Sequence, residues 1–168
     1  MEDFLIVDGY NIINGWPELS SLKKENFAHA RDRLLDILSD YQGITGTHVI
    51  VVFDAHFVKG GVQKHESHTG IDVIFSHEGE TADAVIEKLV GMLPSECVIG
   101  VATSDSVEQG IVFGRGAHRL SARDLYRRVQ EARLMMDSFL SSGERSNFEL
   151  DAQLEKKVKH LLEKWRRR

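Results

Sequence analysis

The stretch Phe4-Leu5-Ile6-Val7-Asp8-Gly9-Tyr10-Asn11-Ile12-Ile13-Asn14 decides the fold. Four apolar residues run into an aspartate, a glycine and an asparagine. A short unbroken apolar run reads as a strand buried on both faces, the habit of a parallel sheet. Gly9 frees the backbone to leave that strand sharply. Asp8 then stands at the carboxyl end of a core strand, where open α/β sheets place their ligands. A carboxylate there is costly to desolvate unless it is hydrogen-bonded or holds a cation. On this stretch alone, capping of the Asp-Gly turn is the simpler role.

The design recurs downstream. His48-Val49-Ile50-Val51-Val52-Phe53-Asp54 is a second apolar run closed by an aspartate. Ile71-Asp72-Val73-Ile74-Phe75-Ser76 is a third. Val98-Ile99-Gly100-Val101-Ala102-Thr103 is a fourth, leading into Ser104-Asp105-Ser106. His118 to Leu120 reads as a short edge strand. Residues 11–22 read as irregular, with Gly15 and Pro17 as breakers. Asn26 is placed to cap a helix whose apolar face is Phe27, Ala30, Leu34, Ile37, Leu38 and Tyr41, stopped by Gly43. Residues 55–70, with His56, His65 and His68, read as a mobile polar loop or an extended hairpin. Gly79-Glu80-Thr81-Ala82-Asp83 opens a helix with Val85, Ile86 and Leu89 on its inner face. Asp105 with Glu108, Ser121 with Asp124, and Ser146 with Glu149 are capping pairs for three more helices. The chain is read as a domain over residues 1–140, a hinge around 141–143, and a basic amphipathic helix over 146–168 packed on the same domain.

Strands alternating with helices imply βαβ units and a parallel sheet. Right-handed crossovers then gather all strand carboxyl ends on one edge. Asp8, Asp54 and Asp105 meet there, joined by Asp83 with Glu80 beside it. Each acid has a plain structural role available: Asp105 as a helix cap, Asp83 and Glu80 at a helix dipole, Asp54 on loop amides. Convergence of all of them by chance is much less expected. Clustered carboxylates raise each other's pKa unless a cation intervenes. Oxygen donors suit Mg²⁺ or Mn²⁺. His56, His65, His68 and His77 match no compact zinc spacing.

At 168 residues the chain suffices for one domain with a substantial core. No apolar run is long enough to span a bilayer and no basic-then-apolar leader opens it, so no membrane partner is expected. A single cysteine, Cys97, excludes an internal disulfide and fits a reducing cytoplasm. The net charge of −5 is unevenly spread. Residues 1–114 hold 7 Lys and Arg against 18 Asp and Glu; residues 115–168 hold 14 against 8. The second part, at +6, would attract a polyanion and the first would repel it. Arg123, Arg127 and Arg128, with Arg166, Arg167 and Arg168, form the expected patch for such an anionic partner.

Val7-Asp8-Gly9-Tyr10-Asn11, Val52-Phe53-Asp54-Ala55-His56, Glu80-Thr81-Ala82-Asp83 and Thr103-Ser104-Asp105, in this order, resemble the YacP type of NYN domain within the PIN-like nucleases. The resemblance covers roughly residues 4–140, leaving the last helix unmatched. It implies a three-layer α/β/α domain with a central, mostly parallel sheet and additional C-terminal helices. It implies a metal-dependent endoribonuclease that cuts mRNA on the translating ribosome, leaving a 5′-phosphate and a 3′-hydroxyl. The +6 balance of residues 115–168, with the arginine patch, is then expected to dock on RNA, and on rRNA in particular. Asp8, Asp83 and Asp105 would be metal ligands, Asn11 would orient substrate or a ligand, and Asp54 and Glu80 would be outer members. Two other readings remain open: a phosphatase-type hydrolase, and a non-catalytic RNA- or ribosome-binding module. Many phosphatases on such sheets carry a second Asp two residues after the first; Tyr10 occupies that position here.

Overall fold

A computed structural model describes residues 2–55, 64–68, 70–103, 117–142 and 158–163. Its elements run β1 (Phe4–Asp8), α1 (Gly9–Gly15), α2 (Pro17–Glu25), α3 (Phe27–Thr45), β2 (His48–Phe53), β3 (Lys64–His68), β4 (Ile71–Phe75), α4 (Ala82–Met92), β5 (Ile99–Ala102), β6 (Ala117–Leu120) and α5 (Ala122–Ser142). A last helical stretch covers 158–163. The strands form one sheet in the order β3-β4-β2-β1-β5-β6. Five strands are parallel, and β3 pairs antiparallel to β4 at one edge. The fold is α/β, as expected from the alternation of apolar runs and amphipathic segments.

Period-two alternation assigns each strand residue to a layer. Leu5 and Val7 of β1 join Val49, Val51, Phe53, Ile71 and Val73 on one face, packed against α1, α2, α3 and α5. Phe4 and Ile6 join Ile50, Val52, Ile74, Ile99 and Val101 on the other, packed against α4 and against Val158 and Leu162. Both faces are dry, which explains why β1 is apolar without a break: its four apolar side chains are at most 2% exposed. Each such side chain stabilises the fold by about 1.5–3 kcal/mol relative to exposure.

Three local expectations are corrected. Residues 11–22 are helical, divided between α1 and α2, and Pro17 starts α2 rather than breaking it. Proline suits the first helical turn because no intrahelical partner waits for its missing N–H. Gly9 does not turn the chain away; it begins α1 directly. Its requirement is space, since a Cβ there would overlap the Phe53 ring. Finally α3 passes through Gly43 and ends at Gly46, whose φ of 74° is the left-handed cap. The Asn26 cap holds: its side chain accepts from the Ala28 and His29 amides. Residues 64–68 form the first arm of a hairpin with β4, settling part of the stretch read as loop or hairpin. The expected hinge does not open at Ser141, since α5 continues through Ser142; Gly143 and the expected caps at Asp105 and Ser146 lie outside the described residues.

Long-range polar contacts lock the layers together. The Trp16 indole N–H donates to the Ala122 carbonyl at 2.8 Å, joining α1 to the start of α5. Ser121 and Asp124 form the expected cap of α5, with the Asp124 amide donating to Ser121 Oγ at 3.0 Å. At the amino-terminal edge of the sheet, His48 Nε2 meets Asp72 Oδ2 at 2.7 Å between β2 and β4. Nearby, buried Glu2 accepts from Arg128 and lies 2.7 Å from His118 Nε2. No helix among the described residues is long and apolar enough to cross a membrane.

Candidate functional site

From β1 the chain moves outward one way to β2 and later the other way to β5. The crevice outside the carboxyl ends of β1 and β5 is therefore the switch point of the sheet, where open α/β folds bind ligands. Asp8 closes β1 at this point and is 6% exposed. Thr103 follows β5 directly and is 1% exposed. Asn11, on the first turn of α1, spans the crevice: its Nδ2 donates to Asp8 Oδ2 at 2.8 Å and to Thr103 Oγ1 at 3.2 Å.

Asp54 arrives from the end of β2, and Asp83 from the first turn of α4; both are half-buried. Thr81, not an acid, caps α4 by accepting from the Ala84 amide, so Asp83 is not needed as the cap. The Asp8 carboxyl is pushed up to about 6. Burial is the main cause; the Asn11 hydrogen bond opposes it, and the negative charges of Asp83 and Asp54 add to it. Asp8 thus lies in the field of Asp83 and Asp54 at the carboxyl edge.

Glu80 has a different setting. Burial raises its pKa, but the bond from Lys88, the His77 amide and the Lys88 charge bring the net value below the ordinary range. Its carboxylate is engaged by Lys88 of the helix that follows and by the His77 amide of the turn before it. Asp105 lies outside the described residues. Among the described residues, no three His, Cys, Asp or Glu side chains lie close enough together to hold one metal ion. The acids whose charges bear on Asp8 are both carboxylates, the donor type that suits hard cations such as Mg²⁺ or Mn²⁺.

The arginine patch is divided. Arg123 and Arg127 are exposed on α5. Arg127 lies 3.3 Å from Asp124 Oδ1, one turn back. Arg128, expected to face RNA, is instead joined to buried Glu2 and sits beside Tyr41. Its spacing along the helix places it near the polar side, but Glu2 arrives from the far N-terminus and captures it. Arg166, Arg167 and Arg168 lie outside the described residues. Thr103 belongs to the site although sequence spacing pointed only to Asp105; its position directly after a core strand was the available signal.

Residues 5–167 match the family model of the YacP-like NYN domain, so the match includes the last helix. The chain is 45% identical to YacP of Bacillus subtilis (strain 168) over 166 residues, covering 98% of this chain and 97% of that protein. The crystal structure of Rae1 (YacP) from Bacillus subtilis superposes with a TM-score of 0.72 at 43% identity, covering 98% of this chain and 95% of that one. A mutant of Rae1 (YacP) gives the same TM-score and identity over 83% and 82% of the two chains. A carboxylate-lined switch point on a parallel sheet thus sits in a chain that matches these proteins over nearly its whole length, and the chain belongs to the family of YacP-like NYN domains, which are nuclease-like.

Proposed function

We propose that this protein is a metal-dependent endoribonuclease that cuts mRNA in association with the translating ribosome. The observation that carries this reading is the Asp8 carboxylate, buried at the switch point and pushed up to about 6 with Asp83 and Asp54 in its field. A fold that only needed a turn cap would not bury one carboxylate and leave it in the field of two more. Asp8 and Asp83, with Asp105, would hold Mg²⁺ or Mn²⁺, with Asp54 in a supporting position. Glu80 is assigned to the surface pair with Lys88 instead. Bound there, the cation would lower the pKa of a water and offset charge on the phosphate. Asn11 holds Asp8 in place against Thr103, so its role is positioning of the carboxylate. Arg123 and Arg127, with Arg166, Arg167 and Arg168, would dock the basic C-terminal part on RNA, with rRNA of the ribosome as the surface.

The test is to incubate the protein with mRNA, with and without translating ribosomes and Mg²⁺ or Mn²⁺, and to map the RNA ends. Metal-dependent cuts are expected, abolished by Asp8→Asn or Asp83→Asn in folded protein. Intact RNA under every condition would overturn the reading in favour of a binding module. Hydrolysis of a small phosphate ester without RNA cleavage would point to a phosphatase instead.

A further inference from the structure

The N-terminal part of the chain is strongly acidic, yet two of its few cations converge on one aromatic ring beside the carboxylate edge. Phe27, half-buried at the start of α3, has Lys23 Nζ at 5.8 Å and the Arg31 guanidinium at 5.9 Å from its ring centroid. Lys23 also donates to Asn14 Oδ1 at 2.6 Å, which fixes its amine near the end of α1. The ring is not isolated. Its centroid lies 4.9 Å from that of Tyr10, which lies 5.0 Å from Phe53, which stacks on Phe75 at 5.5 Å.

In the chain this aromatic row neighbours two of the acids. Tyr10 is two residues after Asp8, and Phe53 immediately precedes Asp54. The amino end of α3 adds partial positive charge where Phe27 begins the helix.

Cations flanking a part-exposed aromatic, next to a phosphate-chemistry edge, match the needs of a single nucleic-acid strand. Bases stack on the ring without regard to sequence, and the cations take the flanking phosphates. We infer that Phe27, Lys23 and Arg31 form a stacking and phosphate-holding platform for single-stranded RNA leading into the Asp8 site. This rests on the proposed nuclease reading and deepens it, since the platform says how an acidic face holds a polyanion near the cut. Lys23 and Arg31 covering Phe27 merely to shield it from water is the competing role, and it predicts no effect on RNA.

The experiment measures binding of a short fluorescent oligouridylate to the full chain by anisotropy, in chelator, over a range of KCl. Phe27→Leu keeps an apolar neighbour for Tyr10, and it should weaken binding on the order of 10-fold. Lys23→Gln with Arg31→Gln should flatten the slope of log affinity against log salt by roughly 1.4, at about 0.7 for each phosphate no longer neutralised. Arg33→Gln, an exposed cation on the same helix, is the control and should change the slope less. Thermal melts establish that each variant is folded. Absence of binding by wild type, unchanged affinity in Phe27→Leu, or equal slopes in the charge variant and the control would each overturn the platform. Cleavage in metal is scored separately. RNA that is bound but never cut overturns the nuclease reading and leaves the platform standing; RNA that is cut while all variants bind equally does the reverse.

Discussion

Replacing Asp8 with Asn should stabilise the metal-free protein at neutral pH. The side chain is 6% exposed, and its carboxyl is pushed from 3.8 up to about 6, chiefly by burial. A folded-state value above the unfolded one means that the native state binds more protons between those limits. Stability therefore falls as pH rises from about 4 to about 6, then levels off. Two pKa units correspond to about 3 kcal/mol of penalty on the ionised form. The amide is nearly isosteric and its oxygen can still accept from Asn11, although that bond loses its charge assistance, at a cost of about 1 kcal/mol. A net gain of about 1–2 kcal/mol at pH 7 is expected, shrinking to zero or a small loss near pH 4. Urea melts of both proteins in chelator, at several values between pH 4 and pH 8, measure it. Added Mg²⁺ should then stabilise wild type through mass action and the variant less, closing or reversing the gap. Parallel stability curves across the pH range, or a wild type more stable at pH 7 without metal, would refute the buried-charge account of this site.

Gly9→Ala should cost about 1–3 kcal/mol, because its Cβ would overlap the Phe53 ring; combining it with Phe53→Leu should recover part of that in urea melts, and strict additivity would rule out the clash. Trp16→Phe should cost about 1–3 kcal/mol by leaving the Ala122 carbonyl without its donor; an unchanged melting temperature would show that this buried bond is dispensable. Asn11→Ala removes the hydrogen bond that holds the Asp8 pKa down, so the acidic limb of the cleavage profile should move to higher pH, and a fall in rate with an unmoved limb would assign Asn11 to substrate instead. Glu2 has the opposite sign to Asp8. Burial raises its pKa, but Arg128 and His118 bring it below the ordinary value, so its stabilisation should be lost as pH falls through that lowered value; hydrogen exchange at Phe4 and at β6 that does not rise below pH 4 would contradict this.

The features legible in the chain alone are those encoded by short-range interactions. An unbroken run such as Phe4 to Val7 has one stable use, a strand dry on both faces, and four such runs alternating with helical faces leave a parallel sheet as the consistent arrangement. Parallel connections then place Asp8, Asp54 and Asp83 on one edge before any coordinate is known. Helix caps at Asn26 and Ser121 are equally local, since each bond spans two or three residues. Everything that depends on partners distant in the chain had to wait for the folded layers. Gly9 looks like a turn residue until Phe53 is brought against it from β2. Residues 11–22 look broken because their apolar side chains serve two short helices pressed on one face, too short for a clear period. Arg128 looks like part of a basic surface until Glu2, 126 residues away, accepts from it. Thr103 and Asn11 meet across 92 residues, and Lys23 and Arg31 share the Phe27 ring only because α2 folds back onto α3. Local side-chain pattern sets which backbone each segment prefers; which side chains face one another, and hence which charges are spent on the fold and which are left for chemistry, is settled only when the layers close.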